Sequence, residues 1–211
     1  MKKSADNMAE RKIAIFGGTF NPVHKGHIRL AERFIDRCGF DKLIILPTAV
    51  PPHKQAPDLA SGEDRYNMCR LAFEGVKNAE VSRYEIDKGG RNYTSDTLAY
   101  FKELFPEATL YFIMGTDMFL SFNEWHEPQE ILKNAVLLCG IRDSSVKKDE
   151  LEAFAEKELK LKPAQYELCF AEPFEISSSE IRRRIKAGEA YENALPEAVA
   201  EYIKSEGLYE R

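Results

Sequence analysis

The stretch Ile13-Ala14-Ile15-Phe16-Gly17-Gly18-Thr19-Phe20-Asn21-Pro22-Val23-His24-Lys25-Gly26-His27 decides how the chain folds. Four apolar residues in a row end on a glycine pair, the pattern of a strand buried on both faces of a parallel sheet. Asn21-Pro22 then reads as a helix start, an N-cap residue type followed by proline in the first turn. Ile28, Leu30, Ala31, Phe34 and Ile35 recur at helical spacing as far as Gly39. Strand, glycine turn and helix in that order make a unit whose helix N-terminus offers N–H groups and partial positive charge to an anion.

The same alternation continues outward. Leu43-Ile44-Ile45-Leu46 is a second strand closed by Pro47, and the four prolines of 47–62 mark a long loop of the kind that is more often functional than idle. Residues 63–75 read as a helix with Tyr66, Met68, Leu71, Ala72 and Phe73 as its apolar positions, and 80–85 as a weaker strand. The polar turn Asp87–Asn92 precedes a helix over 95–105. Leu110–Met114, Ala135–Cys139 and 166–170 complete the strands, with helices over 147–161, from 178 and after Pro196. In the 147–161 helix Leu151, Phe154, Ala155 and Leu161 face inward. Strands alternating with helices predict an α/β fold: a single Rossmann-like, doubly wound parallel sheet with helices on both faces. Ligands of such sheets sit beyond the carboxyl ends of the strands, where Gly17–His27, the loop after 46 and the turn after 114 all fall.

At 211 residues the chain suits one domain, read as 12–211 behind a polar, frayed extension at 1–11. A net charge of −5 argues against a global field for nucleic acid, and no apolar run reaches membrane-spanning length. With no apolar core to a leader after Met1-Lys2-Lys3-Ser4, the expected location is the cytoplasm. Cys38, Cys69, Cys139 and Cys169 form no Cys-x-x-Cys pair and read as reduced packing residues.

Histidine is the informative residue. His24, His27, His53 and His126 are the four in the chain, and all fall in strand-end segments. His24 and His27 share a helix face, and Gly26 removes a side chain where a bulky anion would approach. With Thr19 they form a cradle for phosphate oxygens. A His-x-x-His pair can also ligate a metal, but there is no intervening Glu and no further ligand cluster, and two satisfied histidines alone leave Gly17-Gly18 and Gly26 without a role. Neither Gly-x-Gly-x-x-Gly nor a P-loop follows the first strand, which disfavours a dinucleotide oxidoreductase and a P-loop hydrolase.

A second constellation is Ile176-Ser177-Ser178-Ser179-Glu180-Ile181-Arg182. Ser177 and Glu180 have capping-box spacing, so a helix should begin here, held to the core by Ile181 and Ile185. The serine hydroxyls, the unpaired N–H groups and Arg182 then make another anion site, while Arg183 belongs to a solvated face. Two anion-ready helix starts suit one polyphosphate such as ATP, its α-phosphate near the histidines and its β- and γ-phosphates at the serines and Arg182.

These two segments resemble the signature motifs of the nucleotidylyltransferase superfamily. More narrowly, Pro47-Thr48-Ala49-Val50-Pro51-Pro52-His53-Lys54, Asn92-Tyr93-Thr94-Ser95-Asp96-Thr97 and Met114-Gly115-Thr116-Asp117 followed by Trp125 resemble the bacterial nicotinate mononucleotide adenylyltransferases. The resemblance runs from about residue 12 to the C-terminus and implies transfer of AMP from ATP to nicotinate mononucleotide. It implies an ATP site of Gly17, Gly18, Thr19, Phe20, His27, Gly115, Asp117, Ser177, Ser178, Ser179 and Arg182, with Gly115 and Asp117 on the adenosine. It implies an acceptor site of Asn21, His53, Lys54, Tyr93, Thr94, Trp125 and His126. There Trp125 would stack on the pyridine ring, and the amides of Thr94 and His126 would meet the carboxylate. His24, His27, Lys54 and Arg182 would be the catalytic set, stabilising charge and orienting phosphates. Magnesium would arrive with ATP, held by phosphate oxygens and water, so no protein metal ligand is named.

Other readings are a sister adenylyl- or cytidylyltransferase, a non-catalytic nucleotide sensor on the same fold, and a nucleic-acid binder built on Arg182–Arg184. The Pro-Pro-His-Lys loop and the Tyr-Thr and Trp motifs argue against the first, and the intact histidines, serines and arginine against the second. The acidic balance and the lack of interleaved aromatics argue against the third. Self-association is left open by the sequence.

Overall fold

The computed structural model describes residues 11–49, 58–141, 146–170 and 177–210. Among them six strands, β1 (Lys12–Gly18), β2 (Lys42–Pro47), β3 (Ala79–Val81), β4 (Thr109–Gly115), β5 (Ala135–Ile141) and β6 (Tyr166–Phe170), form one sheet in the order β3-β2-β1-β4-β5-β6. Every neighbouring pair is parallel. The chain therefore winds outward from β1 to β3, then returns to place β4 on the other side of β1. The strand order reverses there, and the crevice at the carboxyl ends of β1 and β4 is the binding position of such a sheet.

The helices are α1 (Lys25–Cys38), α2 (Gly62–Phe73), α3 (Tyr84–Lys88), α4 (Thr94–Leu104), α5 (Thr116–Leu120), α6 (Pro128–Asn134), α7 (Lys148–Lys157), α8 (Ser178–Ala187) and α9 (Glu197–Ser205). They cover both faces. Ala14 and Phe16 of β1 join a core with Leu30, Ala31 and Phe34 of α1, Met68 of α2, Ile181 of α8 and Val199 of α9. Ile13 and Ile15 point the other way, into a core with Leu98 of α4, Ile131 of α6 and Leu151 of α7. This two-sided burial is why the strands read as continuous apolar runs. Cys69, Cys139 and Cys169 lie buried within these cores, as packing residues should.

Several boundaries differ from the sequence reading. α1 begins at Lys25 with His24 as its N-cap, so Asn21-Pro22 belongs to the preceding turn, where its peptide bond is cis. The strand expected over 80–85 is three residues long, and Tyr84–Lys88 is helical. Packing against α4 explains that turn of helix: the Tyr84 ring stacks on Tyr100 at 4.0 Å, and buried Glu85 accepts a hydrogen bond from Thr97 Oγ1 at 2.9 Å. α7 stops at Lys157, short of 161, although Leu151, Ala155 and Leu161 are buried as expected. Arg11, placed in the N-terminal extension by the sequence, feeds the sheet through its carbonyl, which accepts from the Thr109 amide at 2.9 Å.

Gly140 is the tightest contact between sheet and helix. A Cβ there would lie 2.2 Å from Leu30 Cδ1, and Leu30 is itself fully enclosed. Gly140→Ala should therefore cost about 1–3 kcal/mol of stability through overpacking. A Gly140→Ala/Leu30→Val double variant should recover part of the loss in denaturant melts, and strict additivity of the two changes would contradict the contact.

Burial pushes the Glu85 carboxyl up to about 7 from its ordinary 4.5, with the Thr97 hydrogen bond working in the opposite direction. Between those two values the folded protein holds a proton that the unfolded chain releases, so Glu85 makes stability fall as pH rises through this window. Glu85→Gln should be more stable than the parent above pH about 7, with the advantage disappearing toward pH about 4.5. Thermal melts across that range check it, and a pH-independent difference would contradict it.

Candidate active site

The turn after β1 is built to hold two imidazoles at a helix start. His24, buried and extended at φ −145°, caps α1, and its peptide N–H donates to Nδ1 of His27 at 3.2 Å. Because Nδ1 accepts, a neutral His27 ring carries its hydrogen on Nε2 and presents it as a donor. The two rings lie 3.8 Å apart, and the Phe20 ring meets His27 edge-on at 5.1 Å. Phe20 takes the left-handed backbone at φ 46°, a strained conformation of the kind that persists at functional turns. Gly18 makes room for it, since a Cβ there would come within 3.0 Å of the Phe20 ring. Any side chain at 18 would therefore move the wall against which His27 rests.

The second anion-ready helix start arrives at this same turn. Ser177 caps α8 by accepting from the Glu180 amide at 3.2 Å. Ser178 Oγ donates to the Pro22 carbonyl at 2.9 Å, and Arg182 Nη1 donates to the Asn21 carbonyl at 2.8 Å. The sequence reading left the serine hydroxyls for phosphate. In the structure all three have partners, Ser179 Oγ meeting Arg182 Nη2 at 3.4 Å, because α8 must be tied to the turn before it can face a ligand there. Arg182 Nε is buried with no hydrogen-bond partner, so part of the guanidinium is still uncommitted. Arg183 instead pairs outward with Glu180 and Glu189, and its bonds, followed by those of Arg184, hold the Glu180 carboxyl at about 2. Arg182 is the arginine of the three that faces the turn.

Across the crevice, β4 ends at Gly115, which caps α5, and Thr116 Oγ1 donates to the Gly140 carbonyl at 3.3 Å. Asp117 is exposed in the first turn of α5. Of the residues expected on the acceptor side, Tyr93 and His126 are brought together. Tyr93 caps α4 with Thr94 as its first residue, and the Tyr93 and His126 rings lie 4.1 Å apart. Trp125 is half-buried at a core margin, 5.9 Å from the Phe112 ring and 5.7 Å from Phe122. The Phe112 ring also lies 3.3 Å from where a Gly17 Cβ would stand, so it spans from the phosphate turn to the tryptophan.

Not every expected residue is available. Asn21 has its side chain engaged: Nδ2 donates to the Asp58 carbonyl, and Oδ1 accepts from the Ala60 amide and from the Tyr209 hydroxyl. That leaves one amide hydrogen for a ligand, and makes Asn21 chiefly a joint between loops. His53 and Lys54 lie outside the described residues. Thr19 is half-buried within the turn, and its carbonyl accepts from Arg65 at 3.0 Å.

Two residues at this site were missed by sequence reading. Arg65 sits on the inward stripe of α2 with Met68, Cys69 and Ala72, where periodicity alone calls for an apolar residue. That misplaced charge was the available signal. Tyr209, buried near the C-terminus, reaches Asn21 across 188 positions of sequence and had no local signal.

Among the described residues no three His, Cys, Asp or Glu side chains gather as a metal site, and no helix is long and apolar enough to cross a membrane. What the arrangement can do is hold anionic oxygens at two helix starts, with aromatic rings on the far side of the crevice.

The cytidylyltransferase-like family model matches residues 15–184. A Dehalococcoides mccartyi protein described as "Probable nicotinate-nucleotide adenylyltransferase" is 39% identical over 97% of this chain and 100% of its own length. A Clostridium tetani protein of the same description is 35% identical over 94% of this chain and 99% of its own. The solved Plasmodium falciparum nicotinic acid mononucleotide adenylyltransferase complexed with NaAD superposes with a TM-score of 0.79 at 20% identity, covering 95% of this chain and 98% of that one. Its likeness concerns the fold. The family model and the full-length relatives agree, and the chain belongs to the cytidylyltransferase-like family and, within it, to the nicotinate-nucleotide adenylyltransferases.

Proposed function

We propose that the protein transfers the AMP unit of ATP to nicotinate mononucleotide, giving nicotinate adenine dinucleotide and pyrophosphate, a step of NAD biosynthesis. The observation that carries this reading is the tethering of the α8 start to the turn before α1, through Ser178 to Pro22 and Arg182 to Asn21. It brings the first turn of α8 to the turn that leads into α1, which suits one polyphosphate held at both helix starts, while the Tyr93–His126 ring pair and Trp125 suit a flat acceptor ring.

In this reading a 5′-phosphate oxygen of the mononucleotide attacks the α-phosphorus in line. A P–O bond forms as the bond to the β-phosphate bridging oxygen breaks, and pyrophosphate leaves with that electron pair. The attacking oxygen is already ionised near neutral pH, so no general base is needed, and rate comes from positioning and charge stabilisation. His27 donates through Nε2 to the α-phosphate as negative charge builds, with His24 holding its ring. Lys54 and Arg182 neutralise phosphate oxygens, and Gly17, Gly18, Thr19, Phe20 and Ser177–Ser179 shape the channel. Gly115 and Asp117 take the adenosine. Tyr93, Thr94, Trp125 and His126 take the nicotinate ring and carboxylate, with Asn21 and His53 at the edge of that subsite. Magnesium would arrive on the nucleotide's phosphates, held by their oxygens and by water, and would lower their charge. The enzyme acts as one domain over 12–211, in the cytoplasm.

His27→Ala should leave the fold intact and lower turnover by about 10²–10³, the usual cost of removing one such donor. Pyrophosphate release by the purified variant measures this, and near-parental turnover would remove His27 from the catalytic set. Acceptor choice is the second test. Nicotinate mononucleotide should be preferred over its amide because backbone N–H groups at Thr94 and His126 favour a carboxylate. Equal kcat/KM for the two acceptors would overturn the acceptor assignment and leave the adenylyl transfer standing.

A further inference from the structure

Arg65 is the largest fully buried side chain among the described residues, with no measurable exposure, although it carries a charge. Among the described residues its guanidinium donates to four carbonyl oxygens. Nε donates to Ala60 at 3.1 Å, Nη1 to Thr19 at 3.0 Å and to Thr48 at 2.6 Å, and Nη2 to Ala49 at 2.8 Å. Among the described residues no carboxylate lies within ion-pair distance. The ionisable groups that act on it across space are Tyr209, Cys69, Asp64 and Glu85.

These four carbonyls belong to three separate pieces of chain. Thr19 is in the turn that carries Phe20, His24 and His27. Thr48 and Ala49 leave the carboxyl end of β2, and Ala60 precedes α2. Helix or sheet hydrogen bonding supplies no partner for carbonyls diverging at strand ends, and buried carbonyls without donors are costly. A planar fork with five N–H groups can collect several of them at fixed angles, which an ammonium cannot. Core packing accounts poorly for the choice, because an isolated buried charge is expensive and an apolar side chain of similar volume would fill the space. Burial does act against the charge, lowering the guanidinium's hold on its proton, yet arginine stays ionised.

We infer that Arg65 is a positioning residue for adenylyl transfer, a cross-tie fixing the phosphate turn after β1 against both ends of the β2–α2 connection. It touches no substrate and acts through the Thr19 carbonyl and the loop ends. This inference rests on the transferase reading for its kinetic consequence but not for its structural one.

Arg65→Lys keeps the charge and loses the fork, while Arg65→Met removes both with an apolar chain that such sites often tolerate. Two readouts are compared in each purified variant, well below its melting temperature. Hydrogen exchange of peptides covering 17–23 and 58–62 reports the tie without any substrate, and exchange at least tenfold faster is expected in both variants. Turnover per folded molecule, with ATP and nicotinate mononucleotide varied separately, should fall at least tenfold in kcat/KM for each. Part of the loss should be in kcat, and Lys should rescue little over Met. Lost stability alone would leave turnover per folded molecule unchanged, so parental kinetics in either folded variant would overturn the positioning role. Restoration by Lys would show that charge, not the fork, is what matters, and would overturn the cross-tie. If neither variant folds, Arg65 is a folding residue and the inference fails. If the parent protein itself does not make the dinucleotide, the transferase reading fails, while the exchange result still decides whether the tie exists.

Discussion

The constraint on which the rest depends is the docking of one helix start on another. α8 begins against the turn that leads into α1 because Ser178 and Arg182 donate to the carbonyls of Pro22 and Asn21. Each helix brings N–H groups and partial positive charge to its first turn. Two like partial charges repel, and the direct hydrogen bonds to the intervening turn offset that repulsion. Ile181, fully buried beneath α8, anchors that helix to the sheet while its first turn stays at the crevice.

The parallel sheet supplies the platform. Because β1 lies between β2 and β4, the turn after β1 sits where the chain has wound away in both directions. The loops leaving β1 and β2 then have carbonyls pointing into the interior with no strand left to bond them. Arg65 and the Asn21–Tyr209 pair meet this need with polar groups carried on α2 and on the C-terminal segment. Buried polar groups are tolerable when their partners are complete. Among the described residues the buried polar side chains fall in two places, Asn21, His24 and Arg65 around the turn after β1, and Glu85, Asn92, Ser95 and Thr97 where α3 meets α4.

Much of this was legible in sequence because it is periodic or local. The apolar runs at 13–16, 43–46, 110–114 and 135–139 are strands, and the spacing of Leu30, Ala31 and Phe34 is the buried face of α1. Errors clustered where a short segment takes its conformation from a neighbour. Tyr84–Lys88 carries strand-like residues but turns helical against α4, since the stacking of Tyr84 on Tyr100 and the Glu85–Thr97 bond outweigh weak local preference. Asn21-Pro22 looks like a helix start, yet Asn21 is held by Ala60, Asp58 and Tyr209, and α1 waits until His24.

By itself the sequence determined the strand-to-helix order and the helix starts near His24 and Ser177, since backbone propensity and short-range spacing encode these. Only the tertiary structure decided that the two starts meet, that the serine hydroxyls are drawn into that meeting, and that Arg65 and Tyr209 belong to it. Those facts depend on hydrogen bonds between groups far apart in sequence, such as the 161 positions from Asn21 to Arg182. No local pattern records a bond of that kind, because its geometry exists only once the sheet has brought its partners together.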